Sequence, residues 1–519
     1  MNVFNKHKKE LHYEYTPDKK TPISSCIEDN IAIIKELFKD ANDMVFRDFY
    51  VGGPDGTHMF LAFIDGMASN DRINGDVVEP MMISVREVEP HYLEVKDRLY
   101  EVIKKSALGA SDFKELDILE DALTQVLSGD TAMFIDGYSQ SIIISTKSWP
   151  SRGPDEPSGE MVIRGPRDGF VESLRSNTAL IRRRIRDVRL KVKQSQCGVR
   201  SKTDIALMYI DDIVDRGVLE SVEKRIKNID IDAILESGYI EQFIDDRKIS
   251  PFPQVQSTER PDVVAAALYE GRIGIVVDNS PFALIVPATL NTLLQSAEDY
   301  YLRPGIMTVV RYIRSLAFIL ALTAPAFYIA LISYNPEIIP NRLLLSIANT
   351  REGVPFPAFI EAIIMVITFE LLREAGVRLP KPIGSTIGIV GGIVIGQAAV
   401  EAGIVSPIMV IVVAITAIAS FALPNYELAT AIRLVRFIMM AAASIYGLYG
   451  IMLVAIGLTI HLVKIKSFGV PYLSPIAPLT IKDLKDSVFV RVPWKKMRIR
   501  PEEYNSTDRI RQGDDRNEG

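Results

Sequence analysis

Residues 315–334, 383–400, 404–423 and 437–463 contain no Lys, Arg, Asp or Glu. An α-helix needs roughly 20 apolar residues to cross the hydrocarbon core of a bilayer, and these stretches approach or exceed that length. A fifth apolar stretch, residues 356–372, is shorter and carries Glu361 and Glu370. Burying all five in a soluble core would demand far more polar surface than this region offers, so membrane insertion is the expectation. The chain as a whole is 48% hydrophobic yet 24% charged. The two properties therefore occupy different places: charge is dense to about residue 314, sparse to about 463, and dense again through the tail.

Lys and Arg flanking a span prefer the cytoplasmic side. Arg303, Arg311 and Arg314 precede the first stretch and place the N-terminal half in the cytoplasm; no apolar run follows the polar first 20 residues as a secretory signal would require. Five crossings would also put Arg373, Arg378 and Lys381, then Arg433 and Arg436, inside. The same count leaves the tail outside, against the preference of Lys464, Lys466, Lys495, Lys496, Arg498 and Arg500. Four crossings would remove that conflict, and the sequence alone leaves both counts open.

Gly384, Gly388, Gly392 and Gly396 recur every fourth residue, which lines them on one helix face where another backbone can approach closely. Glu361 calls for a reason, because an intramembrane carboxylate is costly. On a straight helix Glu361, Met365, Thr368 and Leu372 share one face, a candidate lining for a water-filled path. An interfacial carboxylate reaching water is the competing reading. Glu370 points the other way and stands three residues before Arg373, close enough to pair.

The N-terminal half shows short apolar runs that each end at an aspartate, at Asp65, Asp136, Asp211 and Asp278, followed by Gly, Gly, Asp and Asn. They read as β-strands stopped by turn chemistry, and turn chemistry explains the aspartates better than metal binding does. Residues 122–129 (ALTQVLSG) and 264–271 (VAAALYEG) both read as a helix ending at glycine, each followed by a hairpin. The pattern predicts a duplication. The expected fold class is an α/β soluble N-terminal half of two similar subdomains, followed by an α-helical multi-span membrane domain. The expected organisation is a flexible N-terminus (1–24), subdomain 1 (25–150), a Pro/Gly-rich linker (151–170), subdomain 2 (171–310), a membrane domain of four to five spans (311–465) and a tail (466–519).

The net charge of −6 gives no basis for a nucleic-acid partner. Cys26 and Cys197 are too few for a disulfide framework and are read as buried thiols in a reducing compartment. His7, His12, His58, His91 and His461 have no metal-ligand spacing. No phosphate-cradling loop and no nucleophile with its base emerges, so no catalytic, cofactor or metal site is expected. The basic run Arg182, Arg183, Arg184, Arg186 and Arg189 reads as a solvated or subunit-pairing face, and less as a lipid contact.

Several unusual words carry a resemblance. Residues 164–172 (RGPRDGFVE, with Arg164, Gly165, Pro166 and Arg167), 177–185 (NTALIRRRI), 251–254 (PFPQ) and 258–262 (Thr258, Glu259, Arg260, Pro261, Asp262) stand in an order that resembles the GerA family of spore germination proteins. The resemblance spans nearly the whole chain, to the tail opening at residues 467–472 (SFGVPY). It implies an A subunit in the inner membrane of the bacterial spore, multi-pass and with a cytoplasmic N-terminal half. It also implies a homo-oligomer, a transporter-like B subunit, a lipoprotein C subunit and membrane lipid as partners. An ion-conducting ring gated by nutrient, or the related amplifying channel, are the activities it suggests; a non-conducting scaffold and a secondary transporter are the alternatives. The absence of an inverted repeat or a paired broken helix argues against a transporter.

Overall fold

The computed structural model describes residues 20–51, 56–79, 113–148, 157, 159–246, 250–378, 394–493 and 500–504. The N-terminal half is built from two five-stranded sheets. In the first, β1 (Met44–Val51), β2 (Thr57–Ile64), β3 (Phe113–Leu116), β4 (Thr131–Ile135) and β5 (Ser141–Ile144) run in the order β1-β2-β4-β5-β3. In the second, β6 (Leu190–Cys197), β7 (Thr203–Ile210), β8 (Gln256–Thr258), β9 (Ile273–Val277) and β10 (Ala283–Val286) run β6-β7-β9-β10-β8. The two orders are the same, and every pairing is antiparallel. The central strands β4 and β9 are buried at every position, which is why both read as unbroken apolar runs and not as alternating ones.

Helices α1 (Ile27–Leu37) and α2 (Leu119–Val126) serve the first sheet, and α3 (Leu174–Arg182) and α4 (Pro261–Tyr269) serve the second. The duplication extends to single side chains. The Asn30 side chain accepts from the Ser24 N–H and donates to the Ser24 carbonyl; Asn177 makes the same two bonds with Val171. Asp136 accepts the N–H of Ile27 at the start of α1, and Asp278 accepts that of Leu174 at the start of α3. A carboxylate there satisfies an orphan helix donor and complements the helix dipole. Gly129 and Gly271, just past α2 and α4, have φ of +96° and +95°, a helix-ending conformation that favours glycine. The aspartates are thus structural, as turn chemistry suggests, but two of them act by holding a distant helix end. Asp65 and Asp211 instead pair with Arg175 and Arg216.

The two sheets are riveted together. Arg182, fully buried in α3, makes a two-pronged ion pair with buried Asp43, both contacts 2.8 Å, and also donates to the Leu190 carbonyl. Arg184 binds Asp168, and Arg189 binds Asp187 and Asp212. Three of the five cations in the basic run, Arg182, Arg184 and Arg189, are thus paired with acidic partners within the chain, while Arg186 is exposed, so the reading as a solvated or subunit-pairing face is corrected for those three alone. Of the cysteines, Cys197 is buried as expected while Cys26 is exposed.

The C-terminal half is helical: α5 (Pro304–Ser333), α6 (Asn341–Arg351), α7 (Ala358–Arg378), a helical stretch at residues 394–401, α8 (Pro407–Phe421) and α9 (Tyr426–Lys464). Among the described residues, α5 and α9 are long and apolar enough to cross a membrane by length and composition. A continuous α9 would place Glu427 and His461 about 51 Å apart at 1.5 Å per residue. Yet Glu427 accepts a hydrogen bond from Ser257, and His461 meets Ser250 at 3.0 Å. Seven residues of chain reach at most about 25 Å, so α9 must double back. It does so at Gly447, whose φ of +59° and ψ of −138° break the helix. Across the bend Gly450 lies so close to Ala442 that an added Cβ would sit 2.1 Å from its carbonyl oxygen. Sequence counting takes residues 437–463 as one span. The fold makes two antiparallel arms of α9.

The returning arm brings the tail back to the soluble half. The short hairpin of β11 (Lys466–Ser467) and β12 (Val470–Pro471) docks there: the Ala288 N–H donates to Ser467, Ser467 donates to the Gln254 carbonyl, and the Leu290 N–H donates to the Tyr472 carbonyl. The tail thus lies on the same side of the helical layer as the N-terminal half, contrary to the five-crossing count. Gly396 packs on α8, its built Cβ 3.4 Å from Val410, whereas Gly384, Gly388 and Gly392 lie outside the described residues.

Candidate functional site

The unusual sequence words meet at the junction between the soluble half and the helices. Arg260, 2% exposed at the start of α4, is held by its Asp262 ion pair at 2.8 Å and donates to the carbonyls of Pro166 and Glu160. The Thr258 hydroxyl donates to the Glu160 carboxylate and accepts the Arg260 N–H. Burial drives the Glu160 carboxyl up to about 7, against the pull of Thr258 and Arg260. The Tyr301 hydroxyl donates to Asp262, and Gly165 presses on the Tyr301 ring, where a Cβ would stand 2.8 Å from it. Residues 164–167 and 258–262 are therefore one knot, although Arg164 and Arg167 themselves are exposed. The knot holds Tyr301, three residues before α5. Nothing in their separation along the sequence signals the meeting.

A second knot grips the base of α5. Arg311, 1% exposed, pairs with Asp299 at 2.9 Å and with Asp486 of the tail at 2.7 Å, and donates to the carbonyls of Ser487 and Val490. Arg314 shares Asp299, and Tyr300 donates to Asp486. Arg311 and Arg314 are visible in the sequence only as side-determining charges. In the fold they lock the soluble half, the first long helix and the tail together. Asp486 is the partner that sequence reasoning misses, since 175 residues separate it from Arg311.

The third contact is acidic. Glu241 and Asp245, on and just after the helix Ser237–Ile244, face Glu427 in the first turn of α9. Burial raises the Glu241 carboxyl to about 8, with Glu427 and Asp245 pushing further the same way. Asp245 rises to about 7 for the same reasons, Arg225 opposing. Burial and neighbouring like charges both favour the protonated form of such carboxyls.

The proposed lining face of α7 does not form a common surface. Glu361 is fully buried, pairs with Arg351 at 2.7 Å and accepts the Ser406 N–H at the start of α8 at 2.9 Å. Met365 is buried beside it, Thr368 turns its hydroxyl back to the Ile364 carbonyl, and Leu372 borders a cavity near Glu370. Glu361 is neutralised inside its own chain and offers no free carboxylate to water, which corrects the lining face. The reason is tertiary: α6 and the start of α8 supply partners that helical periodicity cannot reveal. Glu370 binds Arg373 as its spacing suggests, and also Arg436 at 2.9 Å and Arg433 at 3.6 Å. Among the described residues no cluster of His, Cys, Asp and Glu is arranged to hold a metal ion.

The family described as Bacillus/Clostridium GerA spore germination protein matches residues 32–503. The chain belongs to the GerA family. Spore germination protein KA of Bacillus subtilis (strain 168) is 44% identical over 95% of this chain and 89% of its own length. GerLA of Bacillus cereus is 42% identical, over 92% of this chain and 95% of that one. Stage V sporulation protein AF of Bacillus subtilis (strain 168) is 34% identical, over 87% and 90%. The crystal structure of the N-terminal domain of the A subunit of the Bacillus megaterium spore germinant receptor GerK3 is 32% identical, with a TM-score of 0.42, over 52% of this chain and 98% of that domain. Within this GerA chain, two of the words quoted for the family likeness, residues 164–167 and 258–262, form the knot that holds Tyr301 three residues before α5.

Proposed function

We propose that this chain is the A subunit of a germinant receptor in the inner membrane of the spore, and that its soluble half drives its helices when nutrient is sensed. The observation that carries this reading is the double grip on α5: the Arg260–Asp262–Tyr301 knot and the Arg311–Asp299–Asp486 knot tie the soluble half to the helix base. Identities of 44% and 42% to spore germination proteins KA and GerLA, against 34% to stage V sporulation protein AF, favour the receptor-subunit reading.

The helical half crosses the bilayer an even number of times on this reading: α5, α7, α8 and the two arms of α9 are joined by the apolar sequence stretch 383–400, of which the structure describes residues 394–400. An even count puts both soluble ends on one side. The basic residues near the soluble half, Arg303, Arg373, Lys464 and Lys466 among them, make that side cytoplasmic. Apolar side chains such as Leu316, Ile319, Ile438, Ile445, Ile456 and Ile460 are exposed on the helical surface, as a lipid-facing layer requires. Several copies assemble with a transporter-like B subunit and a lipoprotein C subunit, and the assembly conducts cations when nutrient engages it. Co-reconstitution of the chain with both partners in liposomes tests this: nutrient should start monovalent cation flux. A complete, nutrient-binding complex without flux would sink the conducting role and leave a scaffold that orders its partners. The neutralised Glu361 is the observation that keeps this second reading in play.

A further inference from the structure

A cavity of about 770 Å³ opens between α7, α8 and α9. Its walls are apolar, with Val366, Phe369, Val413, Ala417, Ile418 and Phe421 among them. Ile418 and Phe421 are 70% and 72% exposed, so the mouth opens on the apolar flank of the helical half. The charged residues of the described lining are Glu370, Arg373, Arg433 and Arg436, three positive charges against one negative. All three arginines converge on Glu370. One carboxylate cannot satisfy them: the Nε of Arg433 and that of Arg436 are buried without a hydrogen-bond partner. Both side chains are more than nine-tenths buried, at 8% and 4% exposure. An unpaired buried guanidinium donor is costly, and an excess of two charges in an apolar niche more so.

Arg433 and Arg436 lie about 9 and 14 Å along α9 from Glu427, which touches the soluble half. On the membrane reading above, on which this inference rests, that depth lies just inside the cytoplasmic headgroup level, with acyl chains beyond it. We infer that the cavity is a binding site for an anionic phospholipid, its phosphate meeting Arg373, Arg433 and Arg436 and its acyl chain lying along Val413, Ala417 and Phe421. Charge selects the occupant, since a zwitterionic lipid adds no net charge. The apolar walls select a lipid over a free anion. A lipid seated there would bridge α7 to α9 and stiffen the first arm of the α9 hairpin, whose base touches the soluble half at Ser257.

The test uses the full-length chain, delipidated in detergent and then titrated separately with phosphatidylglycerol, phosphatidylcholine and inorganic phosphate under native mass spectrometry. Phosphatidylglycerol should be preferred over phosphatidylcholine by about 25-fold, roughly fivefold for each of two uncompensated charges. The double variant Arg433→Gln/Arg436→Gln should lose the preference, and Glu370→Gln should raise it by about fivefold. Ala417→Trp fills the apolar wall without touching the arginines and keeps the test decisive if the arginine variants misfold. It should abolish phosphatidylglycerol binding. Equal retention of the two lipids by the wild-type chain would overturn the inference, as would inorganic phosphate binding as well as phosphatidylglycerol, or Ala417→Trp binding as the wild type does. Extraction of reconstituted chain by alkaline carbonate would instead overturn the membrane reading, so the two failures are distinguishable.

Discussion

Gly447→Ala is the sharpest test of the doubled-back α9. At φ +59° and ψ −138° the backbone is in a region glycine enters readily and an L-residue avoids, a strain of about 1–3 kcal/mol. The new methyl would also stand 2.8 Å from Tyr334 Cβ, an atom fixed close to the α5 backbone. The molecule can relieve the strain by releasing the returning arm, and with it the tail hairpin. A central figure of about 2 kcal/mol makes that release about 30-fold more populated. The Leu290 N–H, bonded to the Tyr472 carbonyl at 2.8 Å across this seam, reports the opening. Hydrogen–deuterium exchange in the detergent-solubilised chain should therefore accelerate about 30-fold at Leu290 in the variant. Gly457→Ala, where nothing lies within 4 Å of the built Cβ, is the control and should leave that rate unchanged. Equal exchange in Gly447→Ala and wild type would mean that the two arms are not held by this bend, and the even count of crossings would lose its main support.

Three further outcomes are expected. Asp43→Ala leaves Arg182 buried without its carboxylate and should cost about 3–5 kcal/mol in denaturant unfolding, with the Arg182→Met/Asp43→Leu pair recovering much of it; a single-variant loss below 1 kcal/mol would refute the rivet. Glu361→Gln should destabilise the chain by about 3 kcal/mol, the lower end because Arg351 is 17% exposed. In any conducting assembly it should leave cation selectivity unchanged, and altered selectivity would return Glu361 to a water path. Glu241 and Asp245 have folded pKa values raised above their ordinary ones, so the folded state binds more protons and stability falls as pH rises from about 4 to about 8. Glu241→Gln should flatten that thermal-stability profile; a profile unchanged by the substitution would show that the acidic contact does not titrate.

Periodicity and local chemistry carried much of the fold in legible form. The apolar stretches announced the helices, and ALTQVLSG and VAAALYEG announced the equivalent α2 and α4 because a helix stop at glycine is a local event. The equivalence of Asn30 with Asn177, each bonding a residue six positions earlier, was also within reach of the sequence but hidden by their different neighbours. The pairing of Glu370 with Arg373 was readable from its spacing, whereas that of Glu370 with Arg433 and Arg436 was not. The Arg182 run shows the same limit, since its five cations look alike in sequence and only packing decides which is buried on Asp43.

The residue pattern by itself determined that charged and apolar matter must segregate along this chain, because desolvating either kind in the wrong place is prohibitive. It also determined where strands and helices stop, because those signals act over a few residues. Tertiary structure alone decided that α9 reverses at Gly447, that Glu361 is neutralised by Arg351, and that Asp486 closes on Arg311. The two ion pairs join groups 10 and 175 residues apart, the bend at Gly447 packs on Tyr334, and such energies depend on separation in space, of which sequence order carries no record.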